Sequence, residues 1–284
     1  MIYIRLSLIE WASNYSNNEH KIISSRHTIV QITTLVGVAI SGSLITYLSH
    51  LGIDLREFIV TLACLMGLLM FWPQGVSVTF ESNTKFKIFS KDSVLIKVAI
   101  SSLLLGFLVS LYEPLIPVFI KNVIPQLGLV SIYTTICGVL TVLGSLWMTR
   151  ERITSNSVYF LSFFALPLGV TFIVSTRFSY IYKYLITIVM FSLLYPAYFQ
   201  LRDVYEYDLI QNLHIPKPMI VAVSQTSLMF GDSAGTPISS WVFEKRGYDP
   251  LIIYYGIFSI CIAVVFFIMW RNTFQKTVKP NIKN

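Results

Sequence analysis

Asp232 lies near the middle of the stretch 217–246, KPMIVAVSQTSLMFGDSAGTPISSWVFEKR, which is long enough to cross a bilayer. A carboxylate at that depth is costly unless it faces water or the interior of a helix bundle. On a helix, Gln225 and Thr236 fall on the same stripe as Asp232. We therefore interpret Asp232, with Gln225 and Thr236, as part of a substrate or proton pathway. A structural carboxyl bonded to a nearby Ser or Tyr is the alternative.

Glu113 is a second acidic residue within an apolar run, SLLLGFLVSLYEPLIPVFI. The neighbouring Pro114 and Pro117 leave backbone carbonyls without helical partners and favour a kink at this point. We predict that Glu113 belongs to the same pathway. A glutamate at the membrane interface that reaches the outer headgroups is the alternative.

Aromatic and amide side chains beside Pro196 form a third candidate group. Tyr195, Tyr198 and Gln200 would line a cavity for an aromatic or cationic substrate, because ring faces attract cations. An aromatic belt at the membrane interface is the alternative. Further residues are interpreted as belt or interfacial residues, namely Lys183, Tyr254, Tyr255 and Trp270.

Small side chains recur along one flank of the stretch 217–246. Ser227, Gly231, Gly235 and Ser239 follow at four-residue spacing and so fall on one face of a helix. In lipid, such a face lets another helix approach closely. We predict that this seam packs against a second helix of the chain.

Charged residues open the polar segment 201–216, which is expected to be a loop. We interpret Arg202, Asp203, Glu206 and Asp208 as a solvated helix end with local ion pairs of low energy. A cytoplasmic latch between two halves of a protein is the alternative.

Composition indicates an integral membrane protein. Hydrophobic residues make up 55% of the 284 residues and charged residues 12%, against about 25% charged residues in soluble domains. The net charge of +7 is spread between apolar runs, which favours membrane-surface loops over a nucleic-acid interface. Cys64, Cys137 and Cys261 lie in separate apolar runs and are expected to be buried thiols. No cofactor, metal or nucleic-acid partner is expected, because the sequence carries no motif for one.

The apolar runs predict an all-α polytopic membrane protein with eight transmembrane helices. An aqueous loop is expected at 10–27. The predicted domains are a partial first-half bundle at 1–78, a cytoplasmic linker at 79–94, a six-span bundle at 95–271 and a tail at 272–284. The predicted spans are 28–50, 57–78, 95–120, 128–148, 157–176, 180–200, 217–243 and 250–270.

Lysine and arginine set the predicted orientation. If the loop 10–27 is cytoplasmic, most Lys and Arg residues outside the spans lie on the cytoplasmic side. This bias places both termini in the cytoplasm, and an even number of spans agrees with it. We therefore expect an integral protein of the cell (cytoplasmic, or inner) membrane.

Six spans that follow a basic linker resemble the second half of a major facilitator superfamily transporter of the drug and metabolite efflux branch. Arg26 precedes a span with Gly37 and Gly42, which is similar to the glycine-rich fifth span of family exporters. The further glycines and the proline of that motif are absent.

A second motif lies between the predicted spans 128–148 and 157–176. Gly144 with Arg150 and Arg152 resembles the glycine-plus-basic loop between the eighth and ninth spans of the family. The second glycine and the acidic residue of that loop are missing. The chain thus resembles roughly the last eight of twelve spans.

The resemblance implies a secondary transporter that exports a small organic molecule by alternating access, coupled to protons. Its partners would be the lipid bilayer, the substrate and protons, and a hinged segment around Glu113 would suit an outer gate. Either the chain is truncated, or it is a working eight-span protein. A membrane-embedded lipid or isoprenoid transferase is an alternative, with Asp203, Glu206 and Asp208 as its candidate metal ligands. A non-transporting remnant of a transporter is the third possibility.

Overall fold

The structure is a computed structural model that describes residues 19–50, 61, 93–123, 127–150, 153, 157–212 and 217–277. Within these residues the regular secondary structure is entirely helical. The helices are α1 (Glu19–His50), α2 (Ser93–Ser110), a 3-10 helix (Glu113–Leu115), α3 (Ile116–Val123), α4 (Leu127–Met148), α5 (Ser157–Ser175), α6 (Tyr180–Asn212), α7 (Lys217–Arg246) and α8 (Tyr248–Thr277).

Three helical stretches are long and apolar enough to cross a membrane. They are Ser93–Val123, Ile181–Asp208 and Tyr248–Met269, with mean hydropathies of 2.3, 1.5 and 2.7. The prediction of an all-helical fold is confirmed for the described residues. The predicted span 57–78, apart from residue 61, and the linker as far as residue 92 lie outside the described residues.

Two predicted loops are wrong, because helices extend through them. α1 begins at Glu19, inside the expected loop 10–27, and α6 continues to Asn212 through most of the polar segment 201–216. The polar ends of these helices pack against each other and bury residues on both sides. Packing of this kind stabilises a helix end that its own polar sequence would leave frayed.

The predicted kink beside Glu113 is confirmed. α2 ends at Ser110, and a 3-10 helix with Pro114 in its first turn separates it from α3. Proline lacks a backbone donor and so favours a break here, whereas α5, α6 and α7 continue through Pro167, Pro196 and Pro237. The break places Glu113 at the start of the 3-10 helix, between α2 and α3.

α7 packs along α2 at very short range. A Cβ atom added to Gly231 would overlap the backbone carbonyl of Leu103, and one added to Gly106 would overlap that of Leu228. Gly235 lies against Phe107 and Ser110, the hydroxyl of Ser239 donates to the carbonyl of Ser110 at 3.4 Å, and Ser227 is half-buried. The residues of the seam thus lie where α7 meets α2.

α6 lies at the centre of the described bundle. It contacts α4, α5 and α1, while α8 packs against α5. Gly144 of α4 lies against the carbonyl of Leu193 on α6, so this contact is also close. α1 packs across α4 and α6, and the space between these three helices contains the candidate site.

Candidate functional site

A cavity of about 230 Å³ lies between α1, α3, α4 and α6. Its wall mixes apolar residues with hydroxyl and amide groups, and Glu113 is the charged residue among the described lining residues. Such a mixture is typical of a ligand site, in which a few polar groups orient a ligand against apolar walls. The uncharged polar residues of the lining are Gln31, Thr34, Thr134, Thr141, Ser192 and Tyr195.

Glu113 is held at the wall of the cavity by Tyr195. The Tyr195 hydroxyl donates to Oε1 of Glu113 at 3.0 Å, joining the 3-10 helix to α6. The ring of Tyr195 lies 5.1 Å from that of Phe191, one turn earlier on α6, and both rings line the cavity. The carboxylate and two aromatic rings are therefore presented together.

Asp232 lies on an exposed part of α7, near Glu113 and Tyr195 but outside the cavity lining. Its charge acts on both of those residues. The hydroxyl of Thr236 donates to the backbone carbonyl of Asp232 at 3.3 Å, and Gln225 is buried nearer the start of α7. Asp232 thus adds negative charge beside the cavity without forming its wall.

Tyr198 occupies a different position from the one predicted. It is 1% exposed, and its hydroxyl lies 3.5 Å from that of Ser259 on α8, so it does not line the cavity. Tyr195, one turn earlier, is the aromatic residue that does. The sequence alone could not show which of Tyr195 and Tyr198 lines the cavity. That depends on which helices pack against each side of α6.

A layer of hydrogen bonds closes the cavity on one side. Along α6, Gln200 follows Tyr195 by five residues, and its side-chain amide donates to Thr28 on α1 at 3.0 Å and to Ser145 on α4 at 2.5 Å. The same amide nitrogen also lies 3.1 Å from the carbonyl oxygen of Ser24. All four residues are buried, so α1, α4 and α6 are joined at this level.

Beyond this layer lies a buried group of charges. The guanidinium of Arg202 donates to Asp203 at 3.0 Å and lies 3.3 Å from Glu206, and Arg26 of α1 donates to Asp203 at 3.4 Å. Ser224 of α7 donates to Glu206. We call Arg26, Arg202, Asp203 and Glu206 the charge cluster.

The prediction that Arg202, Asp203 and Glu206 lie at a solvated helix end is wrong. Arg202 is 4%, Asp203 8% and Glu206 1% exposed. The extended ends of α1 and α6 cover them, together with the start of α7. The spacing of Arg202 and Glu206 predicted a local ion pair, but only the packing of three helices shows that it is buried.

His27 connects the cavity to the charge cluster. Its ring lies 3.1 Å from the amide of Gln31, a lining residue, and stacks on Phe199 at 5.5 Å. Burial lowers the pKa of His27 to about 4; Asp203 opposes this change, and the two arginines of the charge cluster add to it. His27 is therefore neutral at pH 7.

At the other end of the bundle, Lys183 and Tyr255 are more buried than their predicted interfacial positions imply. Lys183 is 8% exposed and donates to both carboxylate oxygens of Asp249, at 2.6 and 2.8 Å, so it is held by an ion pair to α8. Tyr255 is fully buried among aromatic rings, whereas Tyr254 is exposed and accepts a hydrogen bond from Arg246. The acidic and aromatic partners lie on other helices, which the linear pattern does not reveal.

Two of the cysteines fall within the described residues. Cys137 is buried and lines the cavity, as expected for a buried thiol. Cys261 is exposed, so its predicted burial is wrong. It shares the outward face of α8 with exposed Ile257, Val264 and Ile268, a side of the helix that no described element covers.

Among the described residues, no group of three or more His, Cys, Asp and Glu side chains is arranged to hold a metal ion. No protein-family model matches the chain. No curated protein matches it either.

Proposed function

We propose that this chain contributes at least eight spans to a secondary transporter that exports a small organic molecule by alternating access, coupled to protons. Its last six spans would form a facilitator-type half bundle, and both termini would lie in the cytoplasm. The observation that carries the proposal is the cavity that presents Glu113 and Tyr195 within an apolar helical bundle. Ionisable residues among membrane-spanning helices are costly, and they typically mark substrate or ion pathways.

The position of the cavity also supports this function. α1 comes from the predicted first part of the chain, and α4 and α6 come from the second. The cavity lies between the two parts, as expected when one bundle rocks against the other around a fixed site. The Gln200 layer and the charge cluster join α1 to α6 on one side, which would close the proposed pathway there.

Glu113 is suited to coupling because a proton and a substrate can compete for the same carboxylate. It is tied to Tyr195, and the helix break beside it provides a flexible joint. A proton that binds Glu113 weakens its attraction for a positive or hydrogen-bond-donating substrate, and so favours release. Asp232 would assist by holding a second charge near the pathway.

The transferase alternative depends on Asp203, Glu206 and Asp208 as metal ligands. Asp203 and Glu206 are instead engaged by Arg202, and Ser224 also donates to Glu206. Internal ion pairs of this kind compensate the carboxylates that a divalent metal would need. No described contact favours the transferase.

The proposal is tested by reconstituting the full chain in proteoliposomes with an imposed pH gradient. Uptake of radiolabelled small cations, neutral molecules and anions is measured with and without the gradient. We expect gradient-driven accumulation of at least one probe. The Asp232→Asn variant should reduce uphill accumulation and keep downhill exchange, because it removes the second negative charge beside the cavity and leaves the described lining unchanged. Failure of every probe to cross faster than in empty liposomes would contradict the function.

A further inference from the structure

We infer that the cavity binds a small organic monocation, with its ammonium group against Glu113 and its apolar body against Phe191 and Tyr195. This inference deepens the proposed function and rests on it, since it names the substrate class of the same cavity. It follows from the charge, the hydrogen bonding and the size of the site.

The charge around the cavity is negative. Glu113 is the charged residue of the described lining, and the charge of Asp232 acts on the same carboxylate. Within the part of the chain that the structure describes, the two arginines of the charge cluster are paired with carboxylates, Arg202 with Asp203 and Glu206 and Arg26 with Asp203. Glu113 and Asp232 each place a negative charge beside the cavity, so a cation is attracted to it and an anion is repelled.

The polar contacts leave room for an ammonium group. Tyr195 donates to Oε1 of Glu113, so Oε2 is the oxygen to which an ammonium would donate. A bond between an ammonium and a carboxylate is stronger than one between neutral groups. The rings of Phe191 and Tyr195, which line the same space, add cation–π attraction.

The size of the cavity limits the ligand. Its volume is about 230 Å³, whereas pockets for drug-sized ligands measure about 300–1,000 Å³. A ligand with a single ring and one ammonium group fits this limit. The hydroxyl oxygens of Thr34 and Ser192 add hydrogen-bond acceptors to the same wall.

The test compares three probes of one size and different charge, namely benzylammonium, benzyl alcohol and benzoate. Binding to the full chain in detergent is measured by titration calorimetry at pH 7. We expect benzylammonium to bind at least about tenfold more tightly than benzyl alcohol, because its bond to Glu113 is charge-assisted. Benzoate should bind most weakly.

Variants assign the effect to the carboxylate. Glu113→Gln should weaken benzylammonium binding by about tenfold and leave benzyl alcohol unchanged. Tyr195→Phe keeps the ring and removes the hydroxyl, so it should have a smaller effect. Glu244→Gln is the matched control, since Glu244 is exposed and does not line the cavity; it should bind like the parent.

Two results would overturn the inference: equal affinity for the three probes, or benzylammonium binding that is the same in Glu113→Gln and Glu244→Gln. These outcomes differ from failure of the proposed function. If benzylammonium binds through Glu113 but does not cross proteoliposomes, the cation site stands and transport fails. If only neutral or anionic probes are transported, the function stands and the cation site fails.

Discussion

Adding one methyl group to Gly231 should separate α7 from α2. The new Cβ would overlap the carbonyl oxygen of Leu103 and lie 2.7 Å from the backbone nitrogen of Phe107. Both atoms belong to the backbone of α2, so no side-chain rotation relieves the contact. Overpacking of this kind costs about 1–3 kcal/mol, and the gain in helix propensity from Gly to Ala returns about 0.5–1 kcal/mol.

Gly37→Ala is the matched control, because no atom of the described residues lies within 4 Å of the added Cβ. That variant should gain about 0.5–1 kcal/mol from helix propensity alone. Gly235→Ala should fall between the two, since its closest neighbour is the Ser110 hydroxyl, which can rotate, although the Phe107 carbonyl is 2.8 Å away. The predicted order of stability is therefore Gly37→Ala, Gly235→Ala and Gly231→Ala.

The assay is thermal unfolding of the purified variants in one detergent, followed by tryptophan fluorescence. A loss of 1 kcal/mol corresponds to about 2–4 °C in Tm for a chain of this size class. We expect Gly231→Ala to unfold several degrees below Gly37→Ala. If the two variants unfold at the same temperature, α7 and α2 do not pack as described, and the reasoning fails.

Three further predictions concern the site and the charge cluster. Asp203→Ala should lower stability by about 3–5 kcal/mol, because it removes one partner of a buried ion pair; equal unfolding of Asp203→Ala and Glu244→Gln would contradict this. In a variant with Cys64 and Cys261 replaced by Ser, Cys137 should react roughly threefold or more faster with an ammonium-bearing methanethiosulfonate than with a sulfonate-bearing one, after correction for a free thiol. Glu113→Gln should remove this preference for the ammonium-bearing reagent. Equal rates for the two reagents in the parent would contradict a negative potential in the cavity. Because the pKa of His27 is lowered to about 4 from 6.5, its contribution to stability is present above pH 6.5 and is lost as the pH falls towards 4, by up to about 3 kcal/mol. His27→Gln should flatten the dependence of Tm on pH in that window, and an unchanged slope would contradict the burial of the ring.

Long apolar runs were sufficient to predict an all-helical fold, and three helical stretches are long and apolar enough to cross a membrane. The polar ends of α1 and α6 were not predictable in this way. Glu19 to His27 and Arg202 to Asn212 have the composition of loops, and they are helical where they pack against each other. That stabilisation comes from residues far apart in the sequence.

The candidate site shows the same limit. Glu113 was identified as a rare acidic residue in an apolar run, and the prolines beside it predicted the break in the helix. The hydrogen bond from Tyr195, 82 positions away, had no local signal. Gln200, Thr28 and Ser145 likewise meet only because α1, α4 and α6 converge. The periodicity of a sequence shows which residues share one face of a helix. Which other helix packs against that face depends on the arrangement of the whole bundle.

Counterflow in proteoliposomes tests the central claim most directly, that the cavity at Glu113 is the transport site. Liposomes containing the full chain are loaded with unlabelled benzylammonium and diluted into a trace of the radiolabelled compound without a pH gradient. We predict transient accumulation of label with the parent and with Glu244→Gln, and none with Glu113→Gln. Accumulation by Glu113→Gln equal to that of the parent would contradict the account, and so would the absence of accumulation by the parent.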